Sequence, residues 1–159
     1  MKHYLQLYWP LFVASILWLG LITPLAAKAV PLDSCEIYLQ VEKQMKCGPQ
    51  GYVQSFGYPY CQVFLRKNKS FSRFGQKILK NIRLCLQEVI LENGIKMSCA
   101  ELSDYGFSTH EYCYLASGFC RLPLKDKLRV FWLAGSEILN PAILSTALNV
   151  EKACLHSSK

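Results

Sequence analysis

Apolar residues in the middle of the chain recur at helical intervals. Phe74, Ile78, Ile82, Cys85 and Val89 step by 4, 4, 3 and 4, which lines side chains up on one face of a helix. Ser72 stands ahead as an N-cap and Asn93-Gly94 behind as a C-cap, so the pattern predicts a helix over Arg73–Glu92. Gln76, Lys80, Arg83 and Gln87 are expected to form a polar stripe on another side of it. A second stripe, Ile143, Ala147, Val150 and Cys154, steps by 4, 3 and 4 and predicts a last helix opened by Asn140-Pro141. Upstream, Asp33 and Ser34 can cap a helix running toward Lys46, ended by Cys47-Gly48-Pro49. A Gly-, Tyr- and Pro-rich loop follows from Gly48 to Pro59, then a short helix over about Tyr60–Lys67. Two capping boxes, Ser98-x-x-Glu101 and Ser108-x-x-Glu111, each predict the start of a short helix, with Gly118 closing the second. Pro123 fits the first turn of a helix reaching about Leu133. No hairpin dipeptide sits between alternating runs, and there is no internal repeat. The pattern predicts an all-α domain of about five to seven helices.

The first residues follow a different rule. Lys2 and His3 are followed by no charge until Lys28, with an apolar run over Leu11–Ile22 and the small-residue site Ala27-Lys28-Ala29. A basic start, an apolar stretch and an A-x-A site read as a secretory signal peptide over residues 1–29, cleaved after about Ala29. Tyr4–Ala27 is long enough for an uncleaved anchor, but Gln6, Pro10 and the A-x-A site favour cleavage. The expected mature domain is residues 30–159. Losing Lys2 and Lys28 lowers the formal charge from +7 to +5 and leaves all eight cysteines in place. Export puts them where disulfides persist, and an even count predicts four bridges. No C-x2-C or Cys/His pairing suits a structural zinc, so no metal and no cofactor are expected.

The cysteines also form a ruler. Cys61-x2-Phe64-Leu65-x5-Phe71-x3-Gly75-x9-Cys85 is followed by Cys99-x13-Cys113-Tyr114-x5-Cys120, with Cys154 further on. This spacing resembles that of the stanniocalcin family of secreted glycoproteins, over roughly Cys61–Cys120. The resemblance implies a helical disulfide core in which Cys85 joins Cys113, Cys120 joins Cys154, and Cys99 joins an N-terminal cysteine. Assigning that partner as Cys47 leaves Cys35 with Cys61, one of the 105 pairings that eight cysteines allow. It implies a non-enzymatic regulator, acting in calcium and phosphate handling or by inhibiting a partner protein. In a microbial host the same scaffold would serve as a secreted effector. The chain departs from the family in its sparser N-terminal cysteines and its shorter Cys85–Cys99 gap. It also stops at Lys159, short of the family's subunit-linking cysteine, so no covalent dimer is expected.

Candidate chemistry is sparse. His110-Glu111-Tyr112-Cys113-Tyr114 resembles the H-D-x-C-Y run of secreted phospholipase A2, in which a histidine activates water and an acid helps to hold calcium. Glu stands for Asp here, and Phe107 stands where that family has a cysteine. The bland reading is a helix-surface histidine beside a bridging cysteine; calcium-dependent ester hydrolysis through His110 and Glu111 is the enzyme alternative. Charge is more informative. No acid occurs between Glu42 and Glu88, while Arg66, Lys67, Lys69, Arg73, Lys77, Lys80 and Arg83 crowd one part of that stretch. They are expected to form either a solvated face or a patch for a protein receptor, sulfated polysaccharide or lipid headgroups. No nucleic-acid motif accompanies them. Asn68-Lys69-Ser70 is an N-glycosylation sequon, used at Asn68 only in a eukaryotic host.

Overall fold

Six α-helices carry the fold in the computed structural model, which describes residues 33–157. The expected leader lies outside them. The helices are α1 (Glu36–Met45), α2 (Tyr58–Arg66), α3 (Arg73–Asn93), α4 (Cys99–Ala116), α5 (Leu124–Ala134) and α6 (Pro141–Ser157), with no strand among the described residues. None of these helices is long and apolar enough to cross a membrane.

Helix α3 is the spine. Ile78, Leu79, Ile82 and Leu86 enter one core with Phe71, Phe119, Val130 and Val150. A turn later Ile90 enters a second core with Tyr38, Val41, Tyr52, Val53 and Leu102. Fully burying each such aliphatic side chain contributes about 1.5–3 kcal/mol. Helix α4 packs between α3 and α6, and α1 lies on α3.

Four disulfides tie these layers together. Cys35–Cys61 joins the start of α1 to α2, Cys47–Cys99 the loop after α1 to α4, Cys85–Cys113 α3 to α4, and Cys120–Cys154 a 3-10 turn to α6. Cys85–Cys113 and Cys120–Cys154 are pairs that the resemblance implies, and Cys47–Cys99 and Cys35–Cys61 match the assignment made for the two N-terminal cysteines. They close separations of 26, 52, 28 and 34 residues, for which loop-closure entropy gives about 3.5–4 kcal/mol each. Four bridges suit an oxidising, extracellular setting.

Several local expectations are corrected. The Gly48–Pro59 stretch is not wholly irregular: Val53–Gly57 winds as a π-helical turn straight into α2. The second capping box starts no helix, because α4 runs unbroken from Cys99 to Ala116 and the Ser108 hydroxyl donates back to the Tyr105 carbonyl at 2.8 Å. The first box is present in full, with Ser98 and Glu101 each accepting the other's backbone N–H. Gly94 does not take a left-handed cap; its φ is −61° and the chain continues as a 3-10 turn. Arg83 and Gln87 are not on a solvent-facing stripe. They are 5% and 1% exposed, because the buried face of α3 is centred on Leu79, Ile82 and Leu86 rather than on Phe74 and Cys85.

Candidate functional site

Five of the seven cations expected to form a patch meet at one corner. Arg66 ends α2, Lys67 precedes and Lys69 lies within the 3-10 turn Asn68–Ser70, and Arg73 and Lys77 lie on the first turns of α3. All five are exposed, and among the described residues none has an acidic partner within 4.0 Å. Arg66 sits well at the negative end of α2. Arg73 does not, since the first turn of α3 holds no acid and a cation at a helix N-terminus opposes the dipole by about 0.3–1 kcal/mol. The corner thus keeps a positive potential at some cost to local stability.

The other two cations leave the patch. The Arg83 guanidinium is buried and donates from Nη2 to Asp33 Oδ1 at 2.9 Å, and Lys80 lies 3.9 Å from Asp33 Oδ2. An acid just before α1, outside the acid-free stretch, draws both toward the start of that helix. Asn68 is half-buried between the corner's cations, and the Ser70 hydroxyl donates to the Lys67 carbonyl at 2.7 Å.

Helix α5 borders the corner. Ser72 caps α3 by accepting the Gly75 N–H at 3.0 Å, and its own hydroxyl donates to Asp126 Oδ2 at 2.5 Å. Arg129 donates to the Ser70 carbonyl and covers the Phe71 ring. With Asp126 and Val130 turned inward, α5 leaves Leu124, Leu128 and Trp132 on its outer side, 70%, 59% and 76% exposed. This apolar stripe beside the basic corner was not anticipated. Its i, i+4, i+8 spacing is the one that ordinarily reads as core.

His110 and Glu111 face different surroundings. Glu111 borders a shallow depression with Asn149, Lys152, Ala153 and His156. His110 is not a surface histidine: its ring lies among Phe56, Phe107 and Tyr114, with Nδ1 2.7 Å from the Gly106 carbonyl. Desolvation holds its pKa below the usual histidine range against hydrogen bonding to backbone. Among the described residues the ring has no ion pair with a carboxylate within 4.0 Å. No group of three or more His, Cys, Asp or Glu able to hold a metal occurs among the described residues.

His110 lines an apolar, partly open cavity of about 120 Å³ between α1–α6 and the π-helical turn. Its wall includes Tyr38, Tyr52, Arg83 and Phe119, all buried, and Phe131, Glu137 and Ile138, which keep partial solvent contact. Gly57 and Gly106 are required here: a Cβ on Gly57 would lie 2.7 Å from the Tyr38 ring, and one on Gly106 2.5 Å from the Tyr52 ring. Burial raises the phenols of Tyr38 and Tyr52, and pushes that of Tyr114 up to about 12. Among the lining residues Arg83 Nη1 is buried without a hydrogen-bond partner, whereas the Tyr52 hydroxyl pairs with that of Tyr38.

Set against protein-family models, curated proteins and solved structures, the chain matches none. The stanniocalcin resemblance rests on the cysteine spacing alone.

Proposed function

We propose that this is a secreted, non-enzymatic binding protein on a stanniocalcin-like disulfide scaffold, which acts by docking its basic corner on an anionic partner surface. The observation that carries this reading is the cluster of Arg66, Lys67, Lys69, Arg73 and Lys77, exposed together without an acidic neighbour. Such a cluster focuses positive potential and speeds encounter with acidic surfaces. The neighbouring Leu124, Leu128 and Trp132 supply the apolar anchor that charge alone lacks, and aromatic side chains are enriched at binding hot spots. Regulation of calcium and phosphate handling, or inhibition of a partner protein, is the role the scaffold suggests.

Heparin is the simplest anionic probe. The mature protein should be retained on immobilised heparin at 0.15 M salt and elute at higher salt. The triple variant Arg66→Ala, Lys67→Ala, Lys69→Ala should elute markedly earlier with an unchanged circular dichroism spectrum. Unaltered retention of the triple variant would remove the corner from the account.

A further inference from the structure

Charge alone does not distinguish one anionic surface from another; the outer side of α5 does. Resting on docking by the basic corner, we propose that the partner surface is an anionic lipid bilayer. The cations meet its headgroups, and Leu124, Leu128 and Trp132 enter the interface beneath them.

The ridge comes first. Successive residues of a helix are turned by roughly 100°. Asp126 and Val130 point into the protein, 2% and 6% exposed, and Leu124, Leu128 and Trp132 fall on the opposite side of α5. None of the three lines the cavity or the depression beside Glu111. They stand out from the surface, where a flat, deformable partner can take them up without a preformed groove.

The ridge is continuous with the positive corner. Lys125 and Arg129 occupy the flank of α5 between the ridge and the buried side. Arg129 donates to the Ser70 carbonyl and covers the Phe71 ring, so this flank is the one turned toward the corner. Lys125 is exposed and has no acidic partner within 4.0 Å among the described residues. Arg121, in the turn before α5, lies 5.3 Å over the Phe74 ring, next in the chain to Arg73. Between Glu111 and Glu137 the one acid is Asp126, and its carboxylate is buried on Ser72. The ridge therefore borders cations, and α5 exposes no acid.

This pairing selects the occupant. A helix with Leu and Trp on one side and cations beside them has the composition of one that lies in a lipid interface, and tryptophan favours the headgroup level. A sulfated polysaccharide offers anions but no apolar phase for the ridge. An anionic bilayer offers both, hydrocarbon lying directly beneath the phosphates. With 11 residues, α5 lies along such a surface and does not span it.

Co-sedimentation with vesicles tests the assignment on the disulfide-intact protein. Vesicles of phosphatidylcholine with about 30% phosphatidylserine should bind it, and phosphatidylcholine alone should not. Each cation near an anionic bilayer contributes about fivefold in affinity, so the Arg66, Lys67, Lys69 triple variant should bind up to about a hundredfold more weakly. Trp132 emission should be quenched by lipids brominated in the acyl chain. The double variant Leu124→Ser, Leu128→Ser should lose at least about tenfold in vesicle affinity while its retention on heparin and its circular dichroism stay unchanged. Three results would overturn the bilayer while leaving the corner in place: heparin retained but vesicles unbound, as for an acidic protein partner; binding without acyl-chain quenching; or vesicle affinity unmoved in the double variant. Equal binding to phosphatidylcholine alone would overturn the pairing of charge with the ridge. Failure to bind heparin and vesicles alike would overturn the docking corner itself.

Discussion

Asp126→Ala tests the joint between α3 and α5 that holds the basic corner against the Leu124–Trp132 stripe. The Asp126 carboxylate is 2% exposed. It accepts the Ser72 hydroxyl at 2.5 Å and faces the Ser72 N–H at 3.3 Å; the hydroxyl oxygen in turn accepts from Gly75. Each hydrogen bond to a charged group contributes about 1.5–3 kcal/mol, but both end on one serine and do not add in full. Removal of the carboxylate should therefore cost about 3 kcal/mol. For a domain of this size that corresponds to a melting temperature lower by roughly 9–15 °C. The assay is thermal unfolding followed by circular dichroism with disulfides intact, on wild type, Asp126→Ala, Ser72→Ala and the double variant. Ser72→Ala alone should cost about 1 kcal/mol as a lost cap, and the cycle should show a coupling of at least about 1 kcal/mol. A loss under about 1 kcal/mol for Asp126→Ala, or strict additivity, would refute the reasoning.

Gly75→Ala should destabilise, although alanine ordinarily gains about 1 kcal/mol over glycine in a helix, because its Cβ would lie 2.4 Å from Asp126 Oδ2; in an Asp126→Ala background the same change should be tolerated, as melting curves will show. Reduction should unfold the protein, since the four bridges together match the 5–15 kcal/mol that stabilises a whole domain; a helical dichroism signal retained in reductant at moderate temperature would contradict this. His110 is held neutral by burial, so the unfolded chain takes up a proton below about pH 6.5 that the folded protein resists. Stability should be full above that pH and fall on acidification until the folded His110 itself protonates. Urea titrations between about pH 7 and 5 should show this slope in wild type and a flatter one in His110→Gln.

Much of the fold was legible because local chemistry and tertiary packing agree. Ser72 does cap α3, Ser98 and Glu101 do form the box that opens α4, and Val150 and Cys154 of the last stripe are buried as its spacing predicts, with Ile143 and Ala147 partly so. Where they disagree, tertiary contacts win. Ser108-x-x-Glu111 has the composition of a helix start, yet it sits inside α4, where Thr109 and Cys113 pack inward. Arg83 reads as a surface cation until Asp33, 50 residues away in sequence, pairs with it. Leu124, Leu128 and Trp132 have the spacing of a core stripe, but Asp126 faces inward on α5, where its carboxylate accepts the Ser72 hydroxyl. The cavity left no local signal, since every helix contributes to its wall.

Docking by the basic corner is tested most directly through Trp132, the only tryptophan among the described residues. Heparin titrations followed by its emission, at several salt concentrations, report on both halves of the surface at once. The account predicts a saturable change in Trp132 emission, with affinity that weakens steeply as salt screens the cations and is lost in the Arg66, Lys67, Lys69 triple variant. Binding that is indifferent to salt and survives in that variant would contradict it.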